Sequence, residues 1–209
     1  MTPDEVARRF TRSDGSFLFA RWGRPIVPVV FGVEDRTLAI VKGAVEAVVT
    51  LADHRMAGTD PELGANQMWF FVRAWDDLRE VPGLDRLIPD LGPLLDRLTG
   101  AGANQYRVFR FDPSGAIRAS VILLRMDDHL ASVAAEDLAL AEAAQAMLLW
   151  SDTAFRDAAP LVRAEGGPAL LAPGPAAIIR AAYDPVLPAM SDDPALAHRI
   201  AARLPRGDA

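Results

Sequence analysis

The sequence contains no cysteine, which excludes disulfide bonds, thiolate catalysis and zinc sites built from thiolates. It also has no apolar run of the roughly 18 residues that a membrane-spanning helix requires, so we expect no transmembrane segment. Lysine occurs once, at Lys42, and the formal net charge is −6. Because nucleic acids and anionic membranes attract basic surfaces, we expect neither as a partner.

The amino-terminal residues include no apolar stretch of signal-peptide length. We therefore expect a cytoplasmic bacterial protein, and an exported protein whose leader is missing from this sequence is the open alternative. Hydrophobic residues make up 51% of the chain and charged residues 24%, which is typical of a globular protein with a substantial core.

Two kinds of hydrophobic pattern alternate along the chain. Aromatic and β-branched runs predict strands at residues 17–22, 26–31, 67–75, 105–112 and 116–126, and helical spacing predicts helices at 35–54 and from about 134 to 150. Leucines at helical spacing over 84–98 are interrupted by Pro89 and Pro93, which predicts two short helices or a kinked one. The expected class is α+β, with a mixed, mainly antiparallel sheet of about five strands and helices packed mostly on one face.

Turn and cap residues add local predictions. Asp112-Pro113-Ser114-Gly115 has type I turn chemistry and predicts a hairpin, and Pro28 predicts a sheet edge or a bulge. Ser132 and Gly100 are candidate helix caps. Residues 1–155 are expected to form the α+β domain, and the Pro/Gly-rich residues 156–209 an irregular segment whose short helices, at about 175–183 and 194–203, pack on that domain.

The stretch LALAEAAQAMLLW, residues 138–150, is apolar on every helical face except at Glu142 and Gln145. Such a helix is buried, and its two polar side chains lie one turn apart on the same side. Glu142 is a candidate general acid or base with Gln145 beside it. The alternative is a structural carboxylate paired with a hairpin arginine such as Arg107, Arg110, Arg118 or Arg125, because a buried charge must be paired.

The tetrapeptide Gly-Ala-Asn-Gln occurs twice, at residues 64–67 and 102–105, each time just before an aromatic strand. One interpretation is that these are two similar turns. The other is that Asn66 and Asn104 bond neighbouring backbone and fix the strand edges around a shared groove. On that second interpretation Asn66, Asn104, Arg118 and Arg125 are candidate binding residues.

An acidic turn, Asp127-Asp128-His129, precedes the buried helix. It could ligate a cation, but adjacent residues in a turn rarely converge on one ion, and acidic residues also suit the start of a helix. The sequence has no nucleophile elbow, phosphate loop or dinucleotide fingerprint. We therefore expect no metal and no cofactor.

The order of predicted elements, together with a few short motifs, resembles a bacterial family of unknown function related to the zincin-like metallopeptidases. The matching residues, over about 17–155, are Phe19 to Trp22, Ala65-Asn66, Leu140 to Leu148 and Ser151-Asp152. A zincin holds Zn²⁺ with the two histidines of H-E-x-x-H, and neither histidine is present beside Glu142. The resemblance therefore implies a zincin-like scaffold without the metal.

Three hypotheses about function follow. The first is a non-catalytic scaffold that binds a protein or peptide along a sheet edge, with Glu142 and Gln145 as inner support. The second is a hydrolase that uses Glu142 as acid or base. The third is a homo-oligomeric, small-ligand-binding protein that uses the aromatic strands and the Pro-rich segment.

Overall fold

The computed structural model describes residues 1–163 and 167–205. A central sheet of four strands has the order β2-β3-β5-β4, in which β2/β3 and β3/β5 are parallel and β4/β5 is antiparallel. Two antiparallel pairs, β1/β8 and β6/β7, lie outside it. The strands are β1 (Phe19–Ala20), β2 (Pro28–Phe31), β3 (Gln67–Val72), β4 (Gln105–Phe111), β5 (Ile117–Arg125), β6 (Leu161–Arg163), β7 (Ala169–Leu171) and β8 (Met190–Ser191).

The α+β class and the mixed sheet are confirmed. Three of the five strand pairings are antiparallel, but the central sheet has four strands and two of its three pairings are parallel. Strands β2 and β3 come from continuous apolar runs, which are typical of parallel strands covered on both faces.

Helices cover both faces of the sheet, and most of them pack on one face, as predicted. On that face α2 packs against α6, whereas α3, α4 and a 3₁₀ helix (Trp75–Glu80) build a second core on the other. The α-helices are α1 (Pro3–Arg8), α2 (Asp35–Leu51), α3 (Leu84–Leu87), α4 (Leu91–Gly100), α5 (Asp128–Ala131), α6 (Ala135–Ala146), α7 (Pro173–Ala182) and α8 (Leu196–Ala201). Within residues 1–163 and 167–205, no helix is long and apolar enough to cross a bilayer.

Strand β3 separates the two cores by simple alternation. The side chain of Trp69 belongs to the core beneath α2 and α6, and those of Met68 and Phe70 belong to the core beneath α4. Trp69 and Phe70 of this strand are therefore interior.

Several local predictions are confirmed. Pro28 begins β2, an edge strand, where its missing N–H is tolerated. The leucine-rich stretch forms two helices, α3 and α4, and the predicted hairpin forms β4 and β5.

Two predicted caps are wrong. Ser132 ends α5 and does not begin α6, whose N-cap is Ala134. Gly100 is still helical, and the left-handed residue after α4 is Gly102, with φ +62°. Each predicted cap lies two residues before the observed position, Ser132 before the N-cap Ala134 and Gly100 before the left-handed Gly102.

The predicted helix over 134–150 ends early, because α6 stops at Ala146. The next residues pair with the amino-terminal strand: Leu148 bridges Arg21, and the Leu149 N–H donates to the Ala20 carbonyl at 2.9 Å. Local helical preference is therefore overridden at this point by a long-range backbone pairing.

The carboxy-terminal residues pack against the amino-terminal part of the chain. Strand β8 pairs with β1, and α8 packs against α1. Ile178, Leu196 and Ile200 are fully or almost fully buried in the same core as α6. Part of the predicted irregular segment, residues 164–166 and 206–209, lies outside the described residues.

Adding a methyl group at Gly32 and at Gly43 should change the stability of the protein in opposite directions. Gly32 follows β2 with φ +82°, and a Cβ there would lie 2.1 Å from the Phe71 carbonyl oxygen, whereas a Cβ on Gly43 in α2 meets nothing within 4 Å. We expect Gly32→Ala to lower the free energy of unfolding by at least about 2 kcal/mol. Gly43→Ala should raise it by about 0.5–1 kcal/mol. Urea unfolding measures both, and equal effects would contradict the backbone clash.

His54 links stability to pH. Its ring packs on Tyr183 and its Nε2–H donates to the Arg24 carbonyl at 2.9 Å. Burial, with help from Arg21 and Arg55, lowers its pKa below the ordinary 6.5. Below that pH the unfolded chain binds the proton more readily, so the free energy of unfolding should fall as pH decreases from about 7 towards 5.

The change in slope identifies the group responsible. His54→Gln should flatten the dependence of unfolding free energy on pH in this window, whatever it does to absolute stability. His198→Gln, a change at an exposed position of α8, is the control and should keep the wild-type slope. A wild-type slope in His54→Gln would contradict the assignment.

Candidate functional site

Glu142 and Gln145 of α6 share one partner, Arg107 of β4. Arg107 Nη1 donates to Glu142 Oε2 at 2.5 Å, and Arg107 Nη2 donates to Gln145 Oε1 at 2.8 Å. Glu142 is fully buried, and the Arg107 side chain retains 23% exposure. Of the hairpin arginines considered from the sequence, Arg107 is therefore the one that neutralises the buried carboxylate.

The geometry of both elements brings these three side chains together. Spacing of three residues puts Glu142 and Gln145 on one side of α6, and Gln145 Nε2 also donates to the Ala141 carbonyl at 3.3 Å. Arg107 lies opposite Ile122 in the hairpin, on the face that α6 covers. Two donors of a planar guanidinium are thus fixed, which holds its plane in one orientation.

The carboxyl end of α6 is satisfied by aromatic donors from three parts of the chain. Trp22 Nε1 donates to the Ala146 carbonyl at 2.9 Å, Trp150 Nε1 to Ala144 at 3.1 Å, and the Tyr183 hydroxyl to Met147 at 2.8 Å. These bonds replace the intrahelical partners that the last carbonyls of a helix lack. Burial raises the pKa of Tyr183, so its hydroxyl remains a donor.

A cleft of about 500 Å³ opens beside this group. Arg107 and Gln145 lie in its wall, and Glu142 does not. The rest of the lining combines the apolar and aromatic residues Phe109, Leu149, Trp150 and Phe155 with Tyr106, Gln105 and the polar residues of the segments 12–14 and 151–152. The cleft therefore meets the guanidinium directly and the carboxylate only through it.

The rim of the cleft carries both signs of charge. Arg12, Asp14 and Asp152 lie there. Hydrogen bonds from Ser16 lower the pKa of Asp14, and hydrogen bonds from Ser13 lower that of Asp152, so both carboxylates are ionised at neutral pH. Glu142 already balances Arg107, so the cleft does not present an excess of positive charge.

Strand β4 is an edge strand, and the residues whose backbone groups are not bonded to β5 also line this cleft. The Arg125 N–H donates to the Asn104 carbonyl, so alternate residues from Asn104 onwards bond to β5. By the same alternation Gln105, Arg107 and Phe109 turn their N–H and C=O groups away from β5. All three residues line the cleft, so the free backbone groups of β4 belong to cleft-lining residues.

The two repeated asparagines have similar structural roles at different places. The Asn66 carbonyl accepts from the Ser120 N–H at 2.9 Å, and the Asn104 carbonyl accepts from the Arg125 N–H at 2.8 Å. Each side chain also donates to an aspartate, Asn66 to Asp60 and Asn104 to Asp127. The preceding glycines of the two repeats both have positive φ, which favours the interpretation as two similar turns.

The prediction that Asn66 and Asn104 border a shared groove is wrong. Because β3 is parallel to β5 and β4 is antiparallel to it, Asn66 precedes the residue paired with Ser120, and Asn104 precedes the residue paired with Leu124. The two therefore lie near opposite ends of β5. Asn66 bonds backbone at Val27 and Pro25, as predicted, whereas the hydrogen bonds of the Asn104 side chain go to Asp127.

The two arginines predicted to bind are also apart. Arg118 lies 3.5 Å from Glu62, and Arg125 donates to the Ala103 carbonyl at 3.2 Å and lies 3.3 Å from Asp127. Neither lines the cleft beside Arg107. Arg125 supports the turn before β4, and Arg118 lines a separate cleft described below.

The acidic turn before α6 caps a helix. Asp127 accepts from the Leu130 N–H at 2.9 Å and begins α5, which lowers its pKa. Over residues 1–163 and 167–205 no three His, Asp or Glu side chains converge as they would around a metal ion.

Sequence reasoning identified Glu142, Gln145 and a hairpin arginine, but missed the cleft wall. Phe109, Trp150 and Phe155 come from distant parts of the chain, and no local pattern links them. One signal was present: Gln105, Arg107 and Phe109 alternate along a predicted strand and so share one face.

Comparison with family models, with curated proteins and with solved structures finds no match to this chain. The resemblance to zincin-like proteins therefore stays a prediction.

A double-mutant cycle tests the buried pair. Glu142→Leu and Arg107→Met should each lower the free energy of unfolding by about 3 kcal/mol, because each leaves the other charge without its partner. The double variant should lose less than the sum, with a coupling energy of about 2 kcal/mol in urea unfolding.

The exposed pair Arg79–Asp96 is the control for that cycle. Arg79→Met and Asp96→Leu should couple by less than about 1 kcal/mol, because water already solvates both charges. A coupling in the Arg107–Glu142 cycle no larger than the control would show that the two charges do not depend on each other.

Proposed function

We propose that the protein binds an extended peptide segment of a partner protein along the edge of β4, and that Glu142 and Gln145 support the site from inside. The observation that carries the proposal is that the free backbone groups and the cleft-lining side chains of β4 belong to the same residues, Gln105, Arg107 and Phe109. Addition of a strand to an exposed sheet edge is a common mode of peptide recognition.

The size and lining of the cleft suit such a segment. Its volume of about 500 Å³ lies within the range of binding sites, roughly 300–1,000 Å³. From Gln105 to Phe109 the strand covers about 13 Å, enough to pair with a few extended residues. Alternate side chains of the peptide would meet Phe109, Trp150 and Phe155, so we expect them to be apolar.

Arg107 has a defined role in this proposal. Its orientation is set by two hydrogen bonds from α6 before any ligand binds, so little side-chain entropy is lost on binding. Its remaining N–H groups can donate to a peptide carbonyl. Glu142 offsets the charge of Arg107, so the site does not require an acidic peptide.

Catalysis by Glu142 has weaker support. A general acid or base must reach the proton that it transfers, and Glu142 is fully buried behind Arg107 and Gln145. The proposal therefore treats Glu142 as a positioning residue. Peptide binding at β4 does not require that the scaffold be zincin-like.

A second copy of the chain is the competing occupant of the edge. Residues Arg12 to Asp14 and the residues Trp150, Asp152 and Phe155 form one wall of the cleft beside β4, and the Ser13 N–H joins the two segments by donating to Asp152 at 2.9 Å. Two copies paired edge to edge would bring their walls against each other, whereas a free extended segment has no such wall. The structure therefore favours a peptide over self-association.

The experiment begins with selection from a library of random short peptides displayed on phage. Binding of a selected peptide is then measured by titration calorimetry and by ¹H–¹⁵N NMR. The amide signals of Gln105, Arg107 and Phe109 should shift, because their N–H groups would bond to the peptide. Sedimentation at the same concentrations detects a second copy on the edge, which would replace the proposal.

A pair of variants at Gln105 separates backbone from side-chain recognition. Gln105→Pro removes one outward N–H at the first residue of an edge strand, where proline is tolerated, and should weaken binding about tenfold or more. Gln105→Ala keeps the N–H and should bind within about threefold of wild type. Equal affinities for the two variants, or no selected peptide that shifts β4 signals, would overturn the proposal.

A further inference from the structure

A second cleft, of about 350 Å³, lies on the opposite face of the hairpin and is lined by three arginines. Arg86 comes from α3, Arg110 from β4 and Arg118 from β5. No Asp or Glu side chain lines it. The local positive charge of this cleft is opposite in sign to the net charge of the chain, which is −6.

The positive charges are incompletely neutralised. Arg110 is held by the Leu87 carbonyl, which accepts from Nε at 3.0 Å and from Nη2 at 2.5 Å. Among the described residues neither Arg110 nor Arg86 has a carboxylate at ion-pairing distance, and Arg118 lies 3.5 Å from Glu62. Glu62 is shared with Arg24 at 3.2 Å, so one carboxylate serves two guanidiniums.

Another arginine-lined cleft, near the amino terminus, has a different balance. Three arginines, Arg8, Arg9 and Arg156, line it together with two acidic residues, Glu5 and Asp157. The cleft at Arg110 has no acidic residue in its lining. The two arginine-lined clefts therefore differ in whether carboxylates share the lining.

The floor of the second cleft is apolar. Met68 and Val121 are almost fully buried there, and the other apolar lining residues are Leu63, Leu87, Phe111 and Ala119. Guanidinium groups bind carboxylates and phosphates through paired N–H donors. A ligand that combined one such oxyanion with a compact apolar body would match both parts of the cleft.

We propose that this cleft binds a small organic oxyanion, a carboxylate or a phosphate monoester, whose apolar body lies on Met68 and Val121 and whose anionic group is held by Arg86, Arg110 and Arg118. Arg110 is the best-oriented of the three, because Leu87 holds its guanidinium and leaves further N–H groups for the ligand. The site lies on the other face of the sheet from the peptide cleft and does not depend on it.

The test is NMR titration of the ¹⁵N-labelled protein at low ionic strength, which detects weak binding. The probes are benzoate, phenyl phosphate, the neutral isostere benzamide, and inorganic phosphate. Benzoate or phenyl phosphate should shift signals at Arg110, Arg118 and Val121 and bind about tenfold or more tightly than benzamide. Stronger binding of one oxyanion identifies the natural class, and added salt should weaken either.

Arg86→Ala is the diagnostic variant because Arg86 is exposed, and Arg36→Ala on α2 is its matched control. Both remove one positive charge, but Arg36 is not in the cleft lining. We expect about tenfold weaker binding for Arg86→Ala and no more than about twofold for Arg36→Ala. Equal losses, equal binding of benzoate and benzamide, or no shifts around Arg110 would overturn the proposal.

Discussion

Burial of α6 is the constraint on which the rest of the structure depends. The helix contributes Leu138, Ala139, Ala143 and Ala144 to the core, so the carboxylate of Glu142 and the terminal carbonyls are removed from water with it. Each of these groups must be paired in the interior, because an unpaired buried polar group costs about 1–3 kcal/mol and an unpaired charge more. The partners come from four separate regions of the chain, and α6 thereby orders them around itself.

The distribution of those partners explains the arrangement of the site. The aromatic donors Trp22, Trp150 and Tyr183 tie the first strand region, the segment after α6 and the carboxy-terminal helices to one helix end. Arg107 ties the edge strand to the same helix. The cleft opens where these attachments leave β4 uncovered. The orientation of a partly exposed guanidinium is therefore set by the need to pair a buried carboxylate. The second arginine cleft lies on the other face of the sheet, over the smaller core, and no residue of α6 lines it.

Several features could be predicted because they depend on neighbours in sequence. The type I turn, the division of the leucine-rich stretch at Pro89 and the edge position of Pro28 each follow from the backbone preferences of a few adjacent residues. The end of α6 could not be predicted in this way, since its last expected turn instead pairs with β1. The shared groove between Asn66 and Asn104 failed for a related reason: the relative direction of β3 and β4 depends on how each pairs with β5.

By itself the sequence determined that a buried helix would carry Glu142 and Gln145 on one side and that an ionised Glu142 would need a partner there, because helical periodicity and the cost of burying charge are local properties. Only the tertiary structure decided that the partner is Arg107, 35 residues away from Glu142, and that it faces a cleft on an uncovered strand edge. Strand order, register and the position of an edge arise from contacts between distant segments, and the hydrophobic pattern within any one segment is compatible with many such arrangements.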